Sequence, residues 1–144
     1  MNVETILRNK GNSVATIRPD APLGTAVEML CRQGIGALVV SENGERVDGI
    51  LSERDIVHAL AHHGADLMSL PVSEIMVSPV VTCEPGDSVG ALMAEMTNRR
   101  MRHFPVLRDG RLCGIVSIGD LVKNRLDEVE TEASSLRSFI VGAA

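Results

Sequence analysis

The chain has 144 residues, enough for one domain of ordinary size whose core needs neither a disulfide nor a metal. Apolar residues make up 44% and charged residues 23%, and no apolar run approaches the ~18 residues a membrane helix requires. A net charge of −5, no Trp or Tyr, and only Phe104 and Phe139 leave neither a basic face nor a series of stacking platforms for nucleic acid.

Taken in chain order, the N-terminal MNVETILRNKG carries Glu4 and no apolar run behind a basic patch, so it does not read as a secretory signal. Val14–Ile17 reads as a short strand, stopped at Pro19. Ala21-Pro22-Leu23 opens a helix with Leu23, Ala26, Val27 and Leu30 at helical spacing. Ile35–Val40 is an apolar strand, Asn43-Gly44 a hairpin turn and Val47–Leu51 the return strand. Ser52 caps a helix that runs to His62, and residues 64–70 form a linker ending at Pro71. A strand at Val80–Cys83, a helix from Asp87-Ser88 to Met96, strands Met101–Leu107 and Leu112–Val116, and a helix from Ser117 follow. In the tail, Val122, Leu126, Val129, Ala133, Leu136 and Ile140 step 4-3-4-3-4, an apolar seam. It suits packing along its own domain with Val3, Ile6 and Leu7, or a dimer contact.

The second half of that order repeats the first. Sliding the sequence by 66 residues lays Val14–Pro19 on Val80–Pro85, Leu38-Val39-Val40 on Phe104-Pro105-Val106, and Asn43-Gly44 on Asp109-Gly110. One residue is then lost, and Gly49–Val57 falls on Gly114–Val122 with Gly, Ile, Ser, Asp and Val identical. A period this long is no solenoid repeat. It describes two β-α-β-β-α units, an α/β (α+β) architecture arranged as a pseudo-twofold pair, plus a C-terminal helix. The expected bounds are residues 3–63 for the first unit, 71–126 for the second and 127–144 for the helical tail.

Asp55 and Asp120 stand three residues after Ser52 and Ser117, at helix starts. Ser-x-x-Asp is a capping box on its own terms. A carboxylate held there also has a second oxygen for ribose hydroxyls, and the free amides after Ser52 and Ser117 can seat a phosphate. Other motifs fail. Gly34-Ile35-Gly36 leads from helix into strand, the reverse of a dinucleotide turn, and His58 and His62 lack the Glu of a zincin helix. Cys31, Cys83 and Cys113 form no CxxC and read as small core hydrophobes of a reducing, cytoplasmic compartment.

The run Val80-Val81-Thr82 with Pro85, then His103-Phe104-Pro105-Val106, Asp109-Gly110 and Gly114-Ile115-Val116-Ser117-x-x-Asp120, resembles the CBS domain, and its doubling resembles the CBS pair or Bateman module. The first copy departs from the pattern with Val39 where the family usually has Pro. The resemblance implies two units packed sheet to sheet and a sensor that binds AMP, ADP, ATP or NAD(H) in the two related clefts between them, with Asp55 and Asp120 on ribose. It implies adenine readout by backbone beside Thr16 and Thr82, along Ala37-Leu38 and along His103-Phe104-Pro105. Arg102, His103, Arg54 and Lys123 are the phosphate candidates, whereas Arg99, Arg100, Arg108 and Arg111 read as solvated. Because the second copy holds Arg102, His103 and Lys123, AMP is expected in the cleft of Asp120 and a longer dinucleotide in that of Asp55. A homodimer is expected, with no metal, nucleic acid or membrane as partner. The rival reading is a small NAD-dependent or nucleotide-hydrolysing enzyme, but neither a P-loop nor a nucleophile elbow is present.

Overall fold

The structure, a computed structural model, describes residues 1–143. It bears out the mixed α/β class, with five α-helices and two small sheets. The first sheet runs β1 (Thr16–Ile17), β2 (Ala37–Val40), β3 (Gly49–Ser52), with β1 parallel and β3 antiparallel to β2. Its helices are α2 (Leu23–Gln33) and α3 (Glu53–His63). The second sheet pairs β4 (His103–Arg108) with β5 (Arg111–Ser117), flanked by α4 (Val89–Arg99) and by α5 (Ile118–Ala143). Asp109 and Gly110, both at positive φ, make the tight hairpin turn between β4 and β5.

The strand expected at Val80–Cys83 shrinks to a single bridge, Cys83 with Val106. Proline explains the loss. In the first unit Val39 N–H donates to Ala15 at 3.2 Å. The equivalent Pro105 has no N–H, so the ladder keeps only the bonds made by Cys83.

Two cores result. One gathers Ile17, Leu23, Leu30, Leu38, Val40 and Leu51; the other gathers Val89, Leu92, Met96, Phe104, Val116 and Leu121. An N-terminal helix, α1 (Val3–Lys10), was not anticipated; Asn2 caps it by accepting from Thr5 N–H. Although it lies within the bounds expected for the first unit, its Val3, Ile6 and Leu7 are buried in the second unit's core. A 3-10 turn at Val72–Glu74 does the reverse, burying Val72 in the first core with Ile75 and Met76 against it. The backbone contacts match as well: Val3 and Glu4 donate to Asp87 and Pro85, while Val72 and Ser73 donate to Ala21 and Pro19. Each unit therefore lends its leading arm to the other. The signal was present in Val3-Glu4-Thr5-Ile6-Leu7 and Val72-Ser73-Glu74-Ile75-Met76, similar strings 69 residues apart.

Candidate functional site

Both expected helix starts form. Ser52 N–H and Oγ–H donate to Asp55 Oδ2 at 2.9 Å, and Asp55 N–H donates back to Ser52 Oγ at 3.3 Å. Ser117 N–H donates to Asp120 Oδ2 at 2.9 Å, and Asp120 N–H to Ser117 Oγ at 3.1 Å. The capping boxes are real at both positions and use one carboxylate oxygen in each.

The two carboxylates then part company. Asp55 opens onto a cleft of about 400 Å³ between the units, lined by Gly36, Ile50, Ser52–Asp55 and Val77, which is bridged to Ile50, from one side and by Arg100–His103 from the other. Asp120 instead receives Lys10 Nζ at 2.7 Å, and that ammonium also donates to Ile115 O at 2.9 Å. Burial pushes the Asp120 carboxyl up, but the Lys10 and Ser117 hydrogen bonds outweigh it and hold it below the ordinary value. The position 69 residues after Lys10 is Pro79, which has no cation to offer Asp55.

Arg102 and His103 stay beside the Ser117–Asp120 helix start as expected, His103 pairing with Ser117 and Arg102 O accepting from Ile118 N–H. They also line this cleft, opposite Arg54 and Asp55. The cleft onto which Asp55 opens therefore gathers Arg54 from the first unit and Arg100 and Arg102 from the second. Burial, then the nearby Lys10 ammonium, lowers the His103 pKa, so its imidazole is neutral at pH 7. An added Cβ at Gly36 would lie 3.5 Å from that ring and 3.3 Å from Glu53 Oε1, which shows how tightly the cleft floor is closed.

Arg100, read from sequence as solvated, lines the cleft too. It sits at φ 55°, ψ 37°, almost the conformation of Gly34 at the matching place in the first unit (φ 62°, ψ 39°). An arginine in the left-handed region is strained where glycine is not. The remaining arginines of the run stay outside: Arg99 pairs with Glu95 at 2.6 Å and Arg108 with Glu4 at 2.7 Å.

Other sequence candidates lie away from this cleft's lining. Leu38 and Phe104 are fully buried in their cores, and Ala37 and Pro105 are buried within β2 and β4. Thr16 lies on β1, Thr82 is exposed ahead of the Cys83 bridge, and Lys123 is exposed a turn beyond Asp120. Ile50, Glu53, Val77 and Met101 line the cleft without having been singled out. Ile50 and Glu53 lie inside the repeated Gly49–Val57 segment, Val77 is bridged to Ile50, and only the docking of one unit on the other brings Met101 to them.

Cys31 is exposed, contrary to its reading as core, while burial pushes the Cys83 thiol up to about 12. Among the described residues no group of three or more His, Cys, Asp or Glu could hold a metal. Among them, too, no helix is long and apolar enough to cross a membrane.

The family model for the CBS domain matches residues 6–62 and 72–127. CBS domain-containing protein YhcV of Bacillus subtilis is 32% identical, over 88% of this chain and 88% of its own length. The crystal structure of CBS-domain containing protein ATU1752 from Agrobacterium tumefaciens superposes with a TM-score of 0.84 at 43% identity, covering 87% of this chain and 99% of that one. The CBS domain pair of protein MJ0100, crystallised with 5′-methylthioadenosine and S-adenosyl-L-methionine, shares the fold at 23% identity and a TM-score of 0.78, covering 89% and 98%.

Proposed function

The chain belongs to the CBS domain family as a tandem pair, and from that premise we propose that it is a regulatory sensor of adenosine-containing ligands rather than an enzyme. One observation carries this reading: the cleft between the units sets the Ser52–Asp55 helix start opposite Arg100, Arg102 and His103. The free oxygen of Asp55 accepts from ribose hydroxyls, since its other oxygen is committed to Ser52. Arginine forks and helix amides take the phosphates. Ile50, Val77 and Met101 supply apolar walls for the base. AMP, ADP, ATP and NAD(H) are the ligands to try, and the MJ0100 complex supports the adenosyl class. A reducing, cytoplasmic compartment fits three unbonded cysteines, and the exposed apolar seam of α5 supports a homodimer.

Isothermal titration with AMP, ATP and NADH tests the reading. Binding should weaken at least about tenfold, ~1.4 kcal/mol, in Asp55→Asn and change little in Asp120→Asn. No binding of any of the three, or equal affinity in the Asp55 variant, contradicts it. Steady release of product would instead establish the enzyme.

A further inference from the structure

Helix α5 runs 26 residues, yet its anchors in the second core end at Leu121 and Asn124. Every residue from Val129 to Gly142 is exposed. A helix of that length standing free in water is marginal. Its bare face is not random. Val122, Leu126, Val129, Leu136 and Ile140 are 40%, 62%, 47%, 61% and 60% exposed and, with Ala133, form one seam. In heptad terms Leu126, Ala133 and Ile140 take position a, and Val122, Val129 and Leu136 take position d.

We propose that α5 pairs with α5 of a second copy of this chain as a parallel, in-register coiled coil. The charges beside the seam choose the occupant and the orientation. Arg125 and Glu132 fall at g, Glu130 and Arg137 at e. In parallel pairing each g meets the following e of the other strand. Arg125 then meets Glu130 of the partner subunit, and Glu132 meets the partner's Arg137, each pair made twice by the twofold axis. Arg125 already holds Glu128 of its own helix at 3.0 Å, so its guanidinium is positioned on that flank. Antiparallel pairing brings e to e and g to g. It would set Glu130 on Glu130 of the partner subunit, Glu132 on the partner's Glu132, and Lys123 by the partner's Arg137. The outer positions Asp127, Glu128, Thr131, Ser134, Ser135 and Ser138 are polar, and only Val141, at the helix end, departs from this among the outer residues from Asp127 to Val141.

The test uses the full chain and needs no ligand, so it stands or falls apart from the nucleotide reading. Two charge variants are made, Arg125→Glu/Arg137→Glu and Glu130→Arg/Glu132→Arg; all four residues are exposed, so both variants fold. By sedimentation equilibrium each alone should lose one association step of the parent, and an equimolar mixture should regain it. Orientation is read from Ile140→Cys in a Cys31→Ser background, which should cross-link between copies on mild oxidation. A parent that stays monomeric, charge variants that associate like the parent, or failure of the Ile140→Cys chains to cross-link would each overturn the proposal.

Discussion

Asp55 and Asp120 have the same type, the same offset from serine and the same capping geometry, yet only Asp120 carries an ion pair. Its partner Lys10 is within hydrogen-bond reach because α1 continues past Leu7, where the second arm instead meets Pro79. Lys10→Ala should therefore raise ligand stoichiometry from one to two per chain by titration calorimetry. Its stability cost should be about 1 kcal/mol or less, as for a partly exposed pair. The lowered Asp120 pKa has a pH signature. Above the unfolded carboxyl value of about 3.9 its contribution is fully present, and it is lost as pH falls through the lower folded value. The acid limb of the parent's stability curve should flatten in Lys10→Ala. His103 acts at milder pH: the unfolded imidazole takes its proton first near pH 6.5, so stability falls from there down to the lower folded pKa. His103→Gln should remove that limb of a Tm-against-pH profile. Arg100 holds a strained backbone at the cleft, and Arg100→Gly should raise stability by roughly 1 kcal/mol while weakening nucleotide binding.

At the scale of elements, the exchanged arms depend on two repeat-related glycines. A Cβ on Gly114 would come within 2.6 Å of the Leu7 side chain. On Gly49 it would come within 2.5 Å of Met76 Sδ and 3.1 Å of the Val77 carbonyl. The Gly49 contact is the harder to relieve, because Val77 exchanges two backbone hydrogen bonds with Ile50, at 3.1 and 2.8 Å. Gly49→Ala should cost about 1–3 kcal/mol in chemical denaturation, with Val77 pushed off β3. Since Val77 is also a wall of the cleft, nucleotide affinity should fall with it. Gly114→Ala, which meets only the ends of one leucine, should cost less. Equal losses at the two glycines would contradict this account.

For the whole molecule, the exchange of arms means that neither core is complete without the other unit. Heat should unfold the chain in one calorimetric transition, and two resolved peaks would show that the arms do not couple the units. A ligand at a hundred times its Kd should raise that single transition by ~2–6 °C, corresponding to ~2.7 kcal/mol. Without Trp or Tyr the transition is best read by circular dichroism or calorimetry.

The β-α-β-β-α order of the first unit, its repetition from α4 onward in the second, the two Ser-x-x-Asp helix starts, the Asp109-Gly110 turn and the apolar seam of the tail were all legible in the residues. Each rests on spacing or on contacts within a few positions, where backbone geometry ties sequence directly to structure. What the repeat concealed is that its halves are not equivalent in space. Lys10 meets Asp120 across 110 residues of sequence, and Arg100–His103 meet the Ser52–Asp55 helix start only because the units dock face to face. No periodicity encodes such meetings. They depend on which backbones can approach closely, here at Gly49 and Gly114, and on which side chain the chain carries to the meeting point. Tertiary packing alone therefore decided that the cleft of Asp55 is open while Lys10 fills the place beside Asp120.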